Sequence, residues 1–137
     1  SLLSPFECLC GNFILPEPAS YVFFYAFSNL RNLLYIIPAS RPVIAAKRDN
    51  MDEYDTIFVG FPIWWYIAPT IINTFLESYD LKNKTIIPFA TSGGSDMGKT
   101  NEKLAPSCPG AKLLHGKVFN SYSSKADLSA WVETLRL

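Results

Sequence analysis

Two short stretches carry the residue types that could hold a flat, partly polar ligand. The first is Pro62-Ile63-Trp64-Trp65, and the second is Thr91-Ser92-Gly93-Gly94-Ser95. Paired indoles offer π faces for stacking or an edge wall, although tryptophan at such a place also serves as core or interface packing. Glycines let backbone N–H groups approach a ligand, and serine hydroxyls act as donor or acceptor. A single Ser/Gly loop is often plain turn chemistry. The pair says more, because each loop follows an apolar run.

Groups that could break or make covalent bonds are scarce. His115 is the only histidine, and no Ser-His-Asp order converges on it. Asp52, Glu53 and Asp55 read as the solvated start of a strand. Asp96 follows the second loop, where a ligand contact and a plain turn are equally good readings. No catalytic residue is assigned. Cys8 and Cys10 are spaced too closely for an ordinary metal knuckle, so no metal site is expected. All three cysteines, Cys108 included, read as free structural thiols of a reducing compartment.

The elements that position the two loops follow from apolar patterning. Asp55 to Phe61 reads as a buried strand, rich in β-branched and aromatic residues and stopped by Gly60 and Pro62. Lys84 to Ala90 reads as a second. Between them a helix begins near Pro69 and ends near Tyr79-Asp80, with Ile67, Ile71, Ile72, Phe75 and Leu76 at helical spacing. A further helix is expected from about Gly98 to Pro106. The last strand begins at Ala111 and continues towards Phe119. Ser123 and Ser124 are N-cap candidates for a final helix, whose stripe is Ala126, Leu128, Trp131, Val132 and Leu135. Trp131 reads as core filler.

The N-terminal third admits two readings. Tyr21 to Phe27 has strand composition, and Leu33 to Ile37 looks like a strand stopped by Pro38. Only Ser28 to Asn32 separates them, too few for a parallel crossover of about a dozen residues. They could form an antiparallel hairpin. The preferred alternative makes 20–31 a helix capped by Ser20, with Val22, Phe23, Ala26, Phe27 and Leu30 on one face. The first strand is then Gly11 to Leu15.

The chain has 137 residues, is 49% hydrophobic and 15% aromatic, and balances 12 basic against 12 acidic residues. A single domain, 1–137, with a real core is expected. No basic patch supports nucleic-acid binding. No apolar run reaches the roughly 18 residues of a membrane span. No basic stretch leads into an apolar one, so a cytoplasmic location is expected.

From Arg41 onward the sequence resembles the flavodoxin-like FMN-binding family, and the small bacterial flavodoxin group in particular. The resemblance rests on Gly60-Phe-Pro-Ile-Trp-Trp65, Asn73-Thr-Phe-Leu-Glu-Ser-Tyr79, Lys84-Thr-Ile-Ile-Pro88, Thr91-Ser-Gly-Gly-Ser95 and Cys108-Pro-Gly-Ala-Lys112. It implies an α/β fold, a three-layer αβα sandwich with parallel strand order 2-1-3-4-5. It also implies FMN as cofactor, electron transfer or flavin-dependent reduction as function, and a redox partner protein. Pro62, Ile63, Trp64, Trp65, Thr91, Ser92, Gly93, Gly94 and Ser95 are then the residues beside the flavin ring. The Trp-Trp loop also has the character of a homodimer surface.

The first βα unit departs from the family. There a loop rich in Ser, Thr, Gly and Asn, with a helix N-terminus, holds the FMN phosphate. The corresponding residues here are Pro16-Glu-Pro-Ala-Ser20, with two prolines that lack an N–H and a glutamate that repels phosphate. Pro38-Ala-Ser also precedes Arg41-Pro42 directly, where the family has a longer loop. FMN binding that is weak, or lost in a fold kept as an interaction module, is the alternative these departures open. The expected outcome is similar affinity for FMN and riboflavin in calorimetric titration. Much tighter FMN binding would show that a phosphate site exists and would overturn the reading of residues 16–20.

Overall fold

The computed structural model describes residues 39–44, 47–120 and 122–137, and the backbone of 21–25. Its centre is a parallel sheet. Strand β1 (Tyr21–Tyr25) lies beside β2 (Thr56–Pro62), β2 beside β3 (Thr85–Thr91), and β3 beside two short strands, β4 (Lys112–Leu113) and β5 (Lys117–Phe119). The described part of the expected strand order is therefore met. The strands expected at 11–15 and 33–37, and the loop 16–20, lie outside the described residues.

One expectation is corrected. Residues 21–25 are a strand, not the first turns of a helix over 20–31, with Tyr21 opposite Thr56 and Tyr25 opposite Gly60. Aromatic and β-branched residues in unbroken succession favour the pleated backbone. Such a run also satisfies helical spacing, because every position is apolar, and periodicity alone cannot separate the two. The objection from crossover length concerned 33–37 as partner. The observed partner is β2, and residues 26–55 connect the two.

β2 and β3 are buried along most of their length, as a parallel sheet covered on both faces requires. Ile57, Val59, Phe61, Ile86 and Ala90 point to one face. There they pack with Ile72, Phe75 and Leu76 of helix α1 (Ile71–Glu77) and with Leu104 of α2 (Thr100–Leu104). The expected helix to Pro106 is this short α2 followed by a 3-10 turn, Ala105–Ser107. Phe58, Ile87, Phe89 and Phe119 point to the other face, under α3 (Lys125–Thr134). Trp131 of α3 sets its ring edge-on to Phe58 at 6.0 Å and Phe119 at 5.3 Å, the core role its spacing implied. Of the two cap candidates, Ser124 caps α3. Its Oγ accepts from the Asp127 N–H, and Asp127 accepts from the Ser124 N–H. Among the described residues no helix is long and apolar enough to cross a membrane.

α1 and the α2 region are tied by a polar chain. Asn73 Nδ2 donates to Lys103 O at 3.1 Å and Ser107 Oγ at 2.9 Å. Ser107 Oγ donates to Glu77, and Arg41 Nε pairs with the same carboxylate at 2.8 Å. The Arg41 hydrogen bond, helped by Ser107, holds the Glu77 carboxyl below its ordinary range against the opposing effect of burial. What this contributes to stability is present above the unfolded-state pKa and fades as pH falls through the lower folded value.

The sheet's far edge is broken for a stated reason. Leu113 lies opposite Ile86 and Lys117 opposite Phe89, so Leu114 to Gly116 face only Ile87 and Pro88. Leu114 N–H donates to Ile86 O, and a regular ladder would return an N–H from residue 88 to Leu114 O. Proline has none. The Asn101 amide takes over. Its Nδ2 donates to Leu114 O at 2.6 Å, and its Oδ1 accepts from Gly116 N–H at 3.3 Å. Asn101→Ala is expected to lower stability by about 1–3 kcal/mol, the cost of an unsatisfied part-buried carbonyl. Urea unfolding measures it, and an unchanged midpoint would mean that solvent replaces the amide.

Candidate functional site

β2 and β3 end level with each other, Pro62 opposite Thr91. Ile63 N–H then donates to Thr91 O at 2.9 Å, which carries the pairing one residue past the strand. The two loops singled out from sequence therefore leave the sheet side by side, at its carboxyl edge. In open α/β sheets this is where ligands bind. Pro62, Ile63, Trp64, Thr91, Ser92 and Ser95 are half-buried there, and Gly93 and Gly94 are exposed.

The first loop is a tight turn. Trp64 and Ile67 exchange both backbone hydrogen bonds, 3.0 and 3.2 Å, around Trp65 and Tyr66. Both central residues have positive φ, 53° and 66°. Asn and Gly favour that geometry; for bulky residues it costs on the order of 1–2 kcal/mol each. The turn leaves Trp65 78% and Tyr66 64% exposed. Two large aromatic rings are thus held outward in a strained turn, and such outliers concentrate at ligand sites. Tyr66 was not among the residues expected from sequence. Nothing marks a Trp-Tyr pair as a turn centre.

The second loop is closed by its own serine. Ser92 Oγ accepts from Gly94 N–H at 3.2 Å and Ser95 N–H at 2.8 Å, and lies 2.7 Å from Ser95 Oγ. Two donors expected to face a ligand are therefore engaged inside the loop. A Cβ built on Gly93 or Gly94 would meet nothing within 4 Å, so open space lies beside both glycines. Asp96 forms a turn, with Oδ1 accepting from Gly98 N–H at 2.8 Å.

Other chemically capable groups lie elsewhere. His115 is exposed in the edge bulge. Cys108 is buried, its Sγ near Leu104 O, and burial pushes its thiol pKa up, which suits a structural thiol. Among the described residues no cluster of metal-ligating side chains occurs. A groove of about 640 Å³ opens between β5 and α3, lined by Phe119, Tyr122, Asp127 and Trp131 among others. No residue of the two loops lines it. The two loops, with the exposed Trp65 and Tyr66 rings, form a ledge at the carboxyl edge of the sheet.

Comparison with known proteins fits this geometry. The sequence pattern of the flavodoxin family matches residues 34–135. A solved protein from Bacteroides eggerthii, described as a flavoprotein, is 40% identical with a TM-score of 0.66, over 74% of this chain and 63% of that one. Another from Bacteroides uniformis, described likewise, is 43% identical with a TM-score of 0.65, over 71% and 62%. The chain thus spans less than two thirds of the length of either. A flavoprotein from Lactobacillus acidophilus, solved in complex with FMN, is 20% identical with a TM-score of 0.47, over 63% and 54%, too remote to argue from. No curated protein matches. The parallel sheet, the helices on both faces and the matched span together show that the chain belongs to the flavodoxin family.

Proposed function

We propose that this chain binds a flavin, FMN by family resemblance, on the ledge formed by Pro62–Tyr66 and Thr91–Ser95. It would serve as an electron carrier or in flavin-dependent reduction, with a protein redox partner in the reducing setting that its cysteine usage suggests. The observation that carries the reading is the outward-held Trp65 ring, in a positive-φ turn beside two glycines with open space next to them. These residues fit a planar ring. When bound, the flavin supplies the redox chemistry, and the protein supplies orientation and electrostatics.

The chain's own contributions follow from its geometry. Trp65 and Tyr66 present π faces, and Ile63 presents an apolar surface. Gly93 N–H, which makes no hydrogen bond among the described residues, is the donor left to meet a polar ring edge. Ser92 fixes the loop before any ligand arrives, which reduces the ordering cost of binding. A second reading keeps the fold as an interaction module without flavin. It is favoured by the engaged N–H groups of Gly94 and Ser95.

Titration of the purified chain with riboflavin and FMN separates the two. Quenching of tryptophan fluorescence and of flavin emission is expected, and the absence of both would favour the module. Trp65→Ala should weaken binding by roughly 1–3 kcal/mol, the range for stacking a flat heterocycle on an aromatic side chain. Gly94→Val should reduce affinity with little change in melting temperature, because its side chain enters open space. A large loss of stability with normal flavin affinity would instead make the loop structural.

A further inference from the structure

Besides its own Trp64–Ile67 hydrogen bonds, the strained aromatic turn is held by the segment after the serine loop. Tyr66 O accepts the Lys99 N–H at 3.2 Å. Gly98 lies so close that a Cβ there would stand 2.6 Å from Tyr66 O and 3.0 Å from Tyr66 Cβ. Gly98 itself has φ +50°, a conformation in which a side chain is strained. Its N–H is fixed by Asp96 Oδ1 at 2.8 Å, and the neighbouring Met97 is buried in the core. The aromatic turn thus rests on a seat that only glycine allows, and that seat is anchored on both sides.

We infer that Gly98, fixed by Asp96, is the positioning residue that sets the Trp65–Tyr66 turn and through it the affinity of the ledge for a flat ring. The affinity half of this rests on the flavin reading, and the positioning half does not. Gly98 does not touch the ring in this scheme. It acts through Tyr66. The Lys99 N–H to Tyr66 O hydrogen bond and the close approach of Gly98 to Tyr66 link the two loops, so a change in one is felt in the other.

The test has a ligand-free arm and a ligand arm. Amide hydrogen exchange by NMR compares the unaltered chain with Gly98→Ala. Exchange should quicken at Ile67, Trp64 and Lys99 and stay unchanged at Ile86 and Phe89 within β3. Unchanged exchange at the turn would overturn the inference, whatever any flavin does. Lumiflavin, a flavin ring with neither ribityl chain nor phosphate, is the ligand probe. Its affinity should fall about tenfold in Gly98→Ala, the loss of roughly one aromatic contact. Normal affinity with a loosened turn would overturn the affinity half. If Gly98→Ala does not fold, the pair Asp96→Ala and Asp96→Asn decides. The asparagine variant keeps the Oδ1 acceptor and should restore both readouts, and equal behaviour of the two variants would overturn the role of Asp96. If the unaltered chain binds no lumiflavin, the affinity half is overturned, riboflavin and FMN titration judges the proposed function, and the exchange comparison alone judges the positioning.

Discussion

The register between β2 and β3 is the constraint on which the rest of the molecule depends. The two strands pair over their full length, from Thr56 opposite Thr85 to Pro62 opposite Thr91. A hydrogen bond outside each end, Thr85 N–H to Asp55 O and Ile63 N–H to Thr91 O, holds the match. A slip of one residue would send Ile57 and Val59 to the face of α3 and Phe58 to the face of α1. It would also leave the two loops at different heights. Layer packing and the side-by-side placement of the two loops are therefore consequences of one alignment.

The parts of this fold legible in the sequence are those fixed by local pattern. The strands at 55–61 and 84–90 announce themselves because both faces are buried, so their residues are apolar without interruption. Helix α1 announces itself by spacing, and α3 by its candidate N-cap serines and its apolar stripe. The same logic fails at 21–25, where an all-apolar run satisfies helix and strand alike. There the decision comes from β2, which is remote in sequence. The ledge shows the same division. The two loops are visible as aromatic and glycine-rich punctuation. The positive φ of Trp65 and Tyr66 and the seat formed by Gly98 are not, because both arise from contact between segments. The engagement of Ser92 with its own loop is likewise a matter of geometry that composition does not reveal.

Several residues of the family motifs prove to be structural. Asn73 and Glu77 join α1 to the α2 region through Ser107, and Cys108 fills core space. Asn73 and Ser107 are buried, and they rigidify this layer only because each finds a partner, Ser107 in the exposed Glu77. Motif membership thus includes residues whose role is to hold the frame. In this chain the division falls at the helix: the loops face outward, and the residues between them hold the frame.

The substitution of the Asn101 amide for the N–H that Pro88 lacks reaches beyond local bookkeeping of hydrogen bonds. It divides the outer margin of the sheet into pieces of two and three residues, with a bulge between them where three residues face two. A long, flat margin would present a row of unpaired backbone groups, a template on which another chain could add a strand and begin aggregation. A short, interrupted margin is a poorer template. Pro88 therefore also acts as a guard against misassembly, and a variant that restored its N–H and straightened this margin would trade that protection for a more regular ladder.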